Sequence, residues 1–472
     1  MGALHHSKPH ALVVPLPFQG HIQPLLDLSL KLVSAGFMVT FANIHKNHER
    51  ITHHQVENSA SLATTPEEKQ GQDIHFISFG EEFVVECESP FYTVIEMFKP
   101  EMRGVIARLL ARLNKKGPSV SLLVFDFRLV YVLDLSIAAG IPSLSVWTQN
   151  AANFLCNAIV TKGFQLPDDD STLFTCTRGL PPLTRKDVSG MNLASAPPPF
   201  PTDEYVWLPF RRVHEPTWTV INTFEELEAT TLYTIEETLG FRPLALGPLV
   251  NTPSFNSARG VSLPNSQSPL DWLQMHPKHS VLYVAFGTVA NVSEAQLEEL
   301  VLGLQASGQP CMWVFRADLC VQTKTYTLES LSRRLGSQGL LVPWAPQRDV
   351  LSHPSVGGFL THCGWNSSME GIIAGVPMLT WPILADQFLN QRCIVEQWGI
   401  GLRFDTTVNG LITRVEVENK VKALMQGERR EEMREKAKSL SNLAQRAHEE
   451  GGSSHKHFDC VKETIWSGHL EK

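Results

Sequence analysis

No stretch of this 472-residue sequence reaches the roughly 18 to 20 uninterrupted apolar residues that a membrane-spanning helix needs. Positive charge is also scarce: 40 Lys and Arg against 48 Asp and Glu leave a formal net charge of −8. That balance argues against nucleic acid or an anionic membrane surface as the main partner. The eight cysteines, scattered from Cys87 to Cys460, contain no C-x-x-C pair and no clustered framework. In a chain of this length they read as reduced thiols of a cytosolic protein. Residues 1–10 carry histidines where a signal peptide has an apolar core. His6 stands where N-myristoylation needs Ser or Thr. The expectation is a cytoplasmic protein with no membrane insertion. No G-x-G-x-x-G follows the first apolar run; that turn reads Phe18-Gln19-Gly20-His21, which sets a dinucleotide oxidoreductase aside.

What is present points to an α/β protein. A composition of 43% hydrophobic and 19% charged residues is globular, and the chain is too long for one ordinary core, so two domains are expected. Apolar runs at 11–15, 38–42, 74–79, 122–125 and 144–147 are short and do not alternate, the habit of parallel strands buried on both faces. Helix-like stretches at 22–35 and 100–113, closed by Gly36 and Gly117, lie between them. Strand alternating with helix gives βαβ units and a doubly wound sheet. Residues 251–268, rich in Ser, Asn, Pro and Gly, read as an interdomain linker. The alternation then restarts, with strands at 281–286, 312–315, 340–344, 358–361 and 378–381 and helices at 294–304, 367–374 and 388–397. Two doubly wound units, 1–250 and 269–472, imply a cleft between facing domains. A charged helical region at 414–450 and a further helical stretch close the chain. Residues 162–217, rich in proline, read as a long excursion from the first domain. Within it Asp168, Asp169 and Asp170 read as a solvated acidic loop, and no metal is expected.

Three consecutive strand-to-helix turns of the second unit concentrate polar chemistry. They read Trp344-Ala345-Pro346-Gln347, then Thr361-His362-Cys363-Gly364-Trp365-Asn366-Ser367-Ser368-Met369-Glu370, then Trp381-Pro382-Ile383-Leu384-Ala385-Asp386-Gln387. Ligands of open α/β sheets bind at the carboxyl ends of the strands, where these turns sit. Trp344 offers a flat face to a base. Gly364 permits a tight turn, and Asn366-Ser367 open a helix whose free N–H groups attract phosphate. His362 could add a hydrogen bond, or a charge if protonated. Glu370, one helical turn beyond Asn366, could grip two ribose hydroxyls. Asp386 and Gln387 present acceptors and donors for sugar hydroxyls. Singly, each of these is an ordinary core or helix-start residue; three such clusters on adjacent turns are not explained by packing.

Residues 344–387 resemble the signature box of plant secondary-product UDP-glycosyltransferases. The similarity continues through Pro17-Phe18-Gln19-Gly20-His21-Ile22-Gln23-Pro24, Asn222-Thr223-Phe224-Glu225-Glu226-Leu227-Glu228, Val284-Ala285-Phe286-Gly287-Thr288 and Gly451-Gly452-Ser453-Ser454. The resemblance implies a GT-B fold: two Rossmann-like domains, acceptor in the first, donor in the second, with the last helix (about 453–467) crossing back to the first. It implies UDP-glucose as co-substrate without a cofactor, and a monomer. It assigns uracil to Trp344, Ala345 and Gln347, and the diphosphate to His362, Asn366, Ser367 and Thr288. Ribose falls to Glu370 and the sugar to Trp365, Asp386 and Gln387. Thr288 departs from the Ser common at its position but keeps the hydroxyl. Trp365 and Gln387 resemble the glucose-using pattern.

In the first unit, His21 begins the first helix, where the helix end disfavours a positive charge and leaves the imidazole free to accept a proton. Asp126 ends the strand at 122–125, where a carboxylate could hold the other ring nitrogen. On spacing alone, a histidine and an aspartate that never meet is the simpler reading. The resemblance assigns them instead as catalytic base and charge partner, and Thr148 as a contact of the transferred sugar. Inversion at the anomeric carbon is then the expected course, with a non-catalytic UDP-sugar-binding protein as the rival. Phe18, Phe91, Phe125, Phe127, Trp147 and Phe388 could line a pocket for a small hydroxylated apolar acceptor, or equally form core.

Overall fold

The computed structural model describes residues 8–44, 74–79, 97–98, 100–194, 203–250, 268–287, 293–315 and 327–470. Among them two parallel sheets form. The first holds β1 (His10–Val14), β2 (Met38–Ile44), β3 (Ile74–Phe79), β4 (Val120–Asp126), β5 (Ser143–Trp147), β6 (Trp218–Ile221) and β7 (Leu244–Ala245). The second holds β8 (Val281–Ala285), β9 (Cys311–Val314), β10 (Gly339–Val342), β11 (Val356–Thr361), β12 (Met378–Thr380) and β13 (Gly401–Arg403). β1, β5, β8 and β11 are buried at every residue, which is why the sequence shows unbroken apolar runs rather than alternation. The linker region at 251–267 and the turn at Thr288 lie outside the described residues.

The strand orders are β3-β2-β1-β4-β5-β6-β7 and β10-β9-β8-β11-β12-β13. Each sheet therefore winds outward in both directions from one central pair, β1 with β4 and β8 with β11. This is the two-Rossmann-domain architecture of the GT-B fold. At such a switch point the following helices leave to opposite faces, and a crevice opens at the strands' carboxyl ends.

Three strands escape a reading by apolar runs. β6 has four residues, β7 two and β13 three; each is too short to stand out without the neighbour that pairs with it. Helix Ala151–Thr161 is also hidden, because its residues from Ala151 to Ala158 are all buried and leave no polar face to mark the period. Its start is fixed by the Asn150 side chain, which accepts from the Asn153 N–H.

The described parts of the proline-rich excursion, 162–194 and 203–217, pack into the first unit. Leu180, Leu183, Val188, Phe210 and Val213 are buried with Trp147 and Phe154 in one core cluster, and Asp187 pairs with Arg392 of the second unit at 3.1 Å. In the acidic triplet, Asp169 accepts from the N–H and hydroxyl groups of Ser171 and Thr172; these bonds hold its carboxyl far below the usual range. Helix Ser453–Leu470 places Val461 and Ile465 in the core of the first sheet, and Trp466 packs edge-on against Phe37. No described helix is long and apolar enough to cross a membrane.

Candidate active site

His21 lies in the first turn of helix Gln19–Ser34, directly after β1, and Asp126 is the last residue of β4. Because β1 and β4 are the central pair, the two meet: His21 Nδ1 lies 2.6 Å from Asp126 Oδ2. The carboxylate is wholly buried and the imidazole is 16% exposed. A carboxylate only accepts, so Nδ1 carries the proton and Nε2 is left with its lone pair, facing no partner among the described residues. Asp126 is held in turn by the Arg128 N–H at 3.1 Å on its other oxygen. Thr148, just past β5, brings its hydroxyl to 3.1 Å from the same Nδ1, so in this structure it touches the histidine.

The second switch point carries the other half. His362 follows β11, and its ring is boxed between two glycines: a Cβ built on Gly287 or Gly364 would lie 2.5 Å or 2.4 Å from Nε2. Burial drives the His362 pKa down to about 4, against the opposing pull of the Ala285 carbonyl. Of the two expected contributions, a hydrogen bond or a charge, this favours the hydrogen bond at neutral pH. Its Nδ1 and the Asn366 Oδ1 are buried without a partner among the described residues. The helix begins at Trp365 with Gly364 as its cap, so the free N–H groups of its first turn open beside His362.

The remaining turns converge there. Trp344 is 52% exposed and presents its face. Ala345 is buried in the core. Gln347 donates to Ser367 Oγ at 3.0 Å and to Glu370 Oε2 at 2.6 Å, tying two of the expected ligand contacts together. Gln387 accepts from the Ile383 and Leu384 N–H groups through Oε1, so only its NH₂ remains to meet a sugar. The expected donor-and-acceptor amide is a donor here. Asp386 is held by Asn390 at 2.8 Å, and burial raises its pKa against that bond. Cys363 and Ala385, both non-glycine, adopt positive φ of 63° and 58°. Such conformations cost about 1–3 kcal/mol each and concentrate at functional turns.

Trp365, expected at the sugar, keeps its indole out of the cleft. Its indole is 3% exposed and donates to the Asn222 carbonyl of the first unit at 2.6 Å, so the ring ties the two units together. Asn366 donates to the Gly20 carbonyl at 2.9 Å, one residue before His21. Phe125 and Trp147 are each 1% exposed within core clusters, and Phe127 stacks on Trp147 at 4.0 Å; these three answer as core. Phe18 and Phe388 are partly exposed, with the Phe18 ring 6.0 Å from that of His21. Phe91 lies outside the described residues.

Two supporting residues were given no role by the sequence. Glu228 breaks its helix with φ −131° and accepts from the Ala151 and Ala152 N–H groups at 2.9 Å, fixing the helix behind Thr148. Arg128 is buried between the Phe127 and Tyr205 rings, 4.5 Å and 3.9 Å from their centres. Glu228 closes a motif that carries the resemblance, but its bonds to Ala151 and Ala152 had no signal there, and Arg128 was visible only as one polar residue among others.

Residues 244–446 match the family model of UDP-glucoronosyl and UDP-glucosyl transferase. UDP-glycosyltransferase 85A5 of Arabidopsis thaliana is 31% identical, covering 98% of each chain. The 7-deoxyloganetin glucosyltransferase of Gardenia jasminoides is 30% identical, again over 98% of both. Among solved structures, Phytolacca americana UGT2 with UDP-2fluoro-glucose and pterostilbene superposes with a TM-score of 0.78 at 26% identity, covering 97% of this chain and 99% of that one. Os79 from O. sativa, in complex with U2F and trichothecene, gives 0.77 at 25% identity, covering 96% and 100%.

Proposed function

The chain belongs to the UDP-glycosyltransferase family, and from that premise we propose that it is a glucosyltransferase with His21 as general base and Asp126 as its partner. It is an inverting, UDP-sugar-dependent enzyme that acts on a small acceptor. One observation carries the assignment of the base. The His21–Asp126 pair at 2.6 Å lies beside the donor turns, whose Asn366 side chain reaches the residue before the histidine.

The chemistry follows from the geometry. His21 Nε2 takes the proton of an acceptor hydroxyl while Asp126, on Nδ1, stabilises the imidazolium that forms. The hydroxyl oxygen attacks the anomeric carbon from the face opposite UDP; the bond to the β-phosphate oxygen breaks and its electron pair leaves with UDP. Neutral His362, the N–H groups opening helix Trp365–Ala374, Ser367 and Thr288 would meet the diphosphate. Trp344, Ala345 and Gln347 would hold uracil, and Glu370 the ribose. The sugar would meet Asp386 as acceptor, the Gln387 NH₂ as donor, the Trp365 backbone and Thr148. Residues 1–250 form the acceptor domain in this reading and 269–472 the donor domain, joined by 251–268.

Glucose is supported by the Trp365 and Gln387 pattern and by relatives that are glucosyltransferases or hold UDP-2fluoro-glucose. A small hydroxylated apolar acceptor is supported by the pterostilbene and trichothecene bound to similar structures. The described cysteines are free thiols, which supports a cytoplasmic location; the proposed state is a monomer. Equimolar UDP-glucose, UDP-galactose and UDP-glucuronate with a panel of hydroxylated aglycones, followed by product mass and sugar analysis, test the donor. The expected product is a glucoside, lost in His21→Ala while UDP still binds. A dominant galactoside or glucuronide would sink the glucose assignment, and undiminished turnover in His21→Ala would sink the base.

A further inference from the structure

Arg348 follows Gln347 in the short helix Gln347–Ser352, and its guanidinium reaches both halves of the molecule. Nη2 donates to Asp27 Oδ2 at 2.9 Å, and Nε donates to Glu370 Oε1 at 3.0 Å. The Asp27 side chain is 2% exposed, Glu370 12% and Arg348 18%. Asp27 sits on helix Gln19–Ser34, the helix that carries His21, and Gln23 one turn earlier holds its other oxygen at 3.1 Å. On the far side, the second oxygen of Glu370 accepts from Gln347. An unbroken chain of hydrogen bonds thus runs from the base's own helix to the carboxylate expected to hold ribose.

An exposed ion pair would carry little weight. Here the fork geometry of arginine suits two carboxylates at once, as lysine's point charge does not, and one of those carboxylates is almost wholly removed from water. Two further ties hold the same helix: Asn366 to the Gly20 carbonyl at one end, and Lys31 to His448 at 3.0 Å at the other. The Asn366 tie is a single neutral hydrogen bond to backbone from a residue expected at the diphosphate; only the Arg348 bridge joins the helix to the expected ribose contact, and it does so through two carboxylates.

We propose that Arg348 is a positioning residue for sugar transfer: by bridging Asp27 and Glu370 it fixes the His21 helix in register with the ribose of bound UDP-sugar. The proposal rests on the reading of His21 as base and Glu370 as ribose contact. Each half-site is complete without the bridge; what the bridge supplies is their alignment. A misplacement of about 1 Å between base and reacting carbon costs up to about 100-fold in rate, and a loosened cleft admits water to the donor.

The test uses Asp27, which touches no substrate. Asp27→Asn removes the charge and keeps the shape, whereas Asp27→Glu keeps the charge. For each, kcat, the affinity for UDP by calorimetry, and the fraction of donor hydrolysed rather than transferred are measured with the acceptor the parent uses. Asp27→Asn is expected to lower kcat by about 10- to 100-fold, to raise the hydrolysed fraction, and to leave UDP affinity at the parental value. Asp27→Glu is expected to restore most of the loss, and Asp27→Asn is expected to add nothing once Arg348→Met is present. A purely structural clamp would lower the melting temperature without moving the hydrolysed fraction. Parental kcat and partition in Asp27→Asn, or losses that add in the double variant, overturn the proposal. If Asp27→Asn does not fold, Arg348→Lys takes its place: it keeps one charge pair but cannot bridge both, and parental kcat in it is equally fatal. A parent that transfers no sugar from any UDP-sugar defeats the underlying reading and the proposal together, an outcome distinct from all of these.

Discussion

Replacing Gly287 with alanine presses a new Cβ against the one side chain that the donor pocket has packed from both sides. The added atom would stand 2.5 Å from His362 Nε2 and 2.6 Å from Cε1, where ordinary contact begins at 3.4 Å. Relief requires the ring to move by about 0.9 Å, and a Cβ on Gly364 would press on the same ring atoms. Gly287 also has φ +70°, a left-handed conformation that costs about 1–2 kcal/mol for an L-residue. Overpacking a filled site costs about 1–3 kcal/mol more, so the total loss of stability is about 2–5 kcal/mol. Gly364→Ala separates the two contributions. Its Cβ would fall 2.4 Å from the same Nε2, yet its φ is −58°, so it displaces the ring without backbone strain. Both variants should therefore lose the His362 hydrogen bond to the diphosphate, about 1.5–3 kcal/mol for a bond to a charged group, while Gly287→Ala alone bears the conformational cost. Calorimetric titration with UDP and chemical denaturation read the two effects independently. The expected pattern is a similar fall in UDP affinity, roughly 10- to 100-fold, with the larger stability loss in Gly287→Ala. Parental UDP affinity in Gly364→Ala would refute the placement of His362 against the diphosphate, as would a further fall when Gly364→Ala is added to His362→Ala.

Asp126→Asn keeps the contact to His21 but permits the wrong tautomer, so turnover should fall by about 10²- to 10⁴-fold with UDP affinity unchanged; parental turnover would remove Asp126 from the mechanism. The buried histidines His362 and His448, both lowered to about 4 by burial, make the fold acid-sensitive. Their folded pKa lies below the unfolded 6.5, so the unfolded chain takes up protons first; stability is full above 6.5 and is lost as pH falls towards 4. Each drop corresponds to roughly 3 kcal/mol, and Asp27, raised by burial to about 6, offsets about one of them because its contribution runs the other way, present at low pH and lost as pH rises through 6. Between pH 7 and 4, His448→Gln should lose roughly 3 kcal/mol less stability on acidification than the parent; identical pH profiles would contradict the burial of His448.

The outline of the fold was legible because parallel strands buried on both faces leave a mark that survives without their neighbours. Val281–Ala285 and Val356–Thr361 are apolar at nearly every position, and no other context explains such runs flanked by helical periods. Gly401–Arg403 carries no such mark. It is a strand because Met378–Thr380 offers it a free edge, and an edge is a property of the sheet and not of the three residues. Helix Ala151–Thr161 failed for the opposite reason: it is buried over so much of its surface that the polar face by which a helix announces itself is missing. The resemblance expected Thr148 at the sugar, but its contact with His21 left no trace in the sequence, since β5 and β1 are separated by β4 in the sheet.

The same distinction divides the site. The donor turns are contiguous in sequence, so their residue types and spacing can be weighed together before any coordinates exist. The residues that join the halves cannot be read this way, because their chemistry lies in the partner: Arg348 and Asp27 stand 321 positions apart, and Asn366 and Gly20 stand 346 apart. An isolated aspartate in an apolar helix reads as a solvated residue until the guanidinium that buries it is in view. Topology supplies the missing relation. His21 follows β1 and Asp126 ends β4; Gly287 follows β8 and His362 follows β11. In each sheet those are the two strands of the switch point, so the proposed base pair and the proposed diphosphate cradle stand at the same place in two copies of one plan. In the proposed mechanism, the two crevices put a proton acceptor from one sheet beside the leaving group held by the other. Sugar transfer needs that encounter, which neither domain can provide alone.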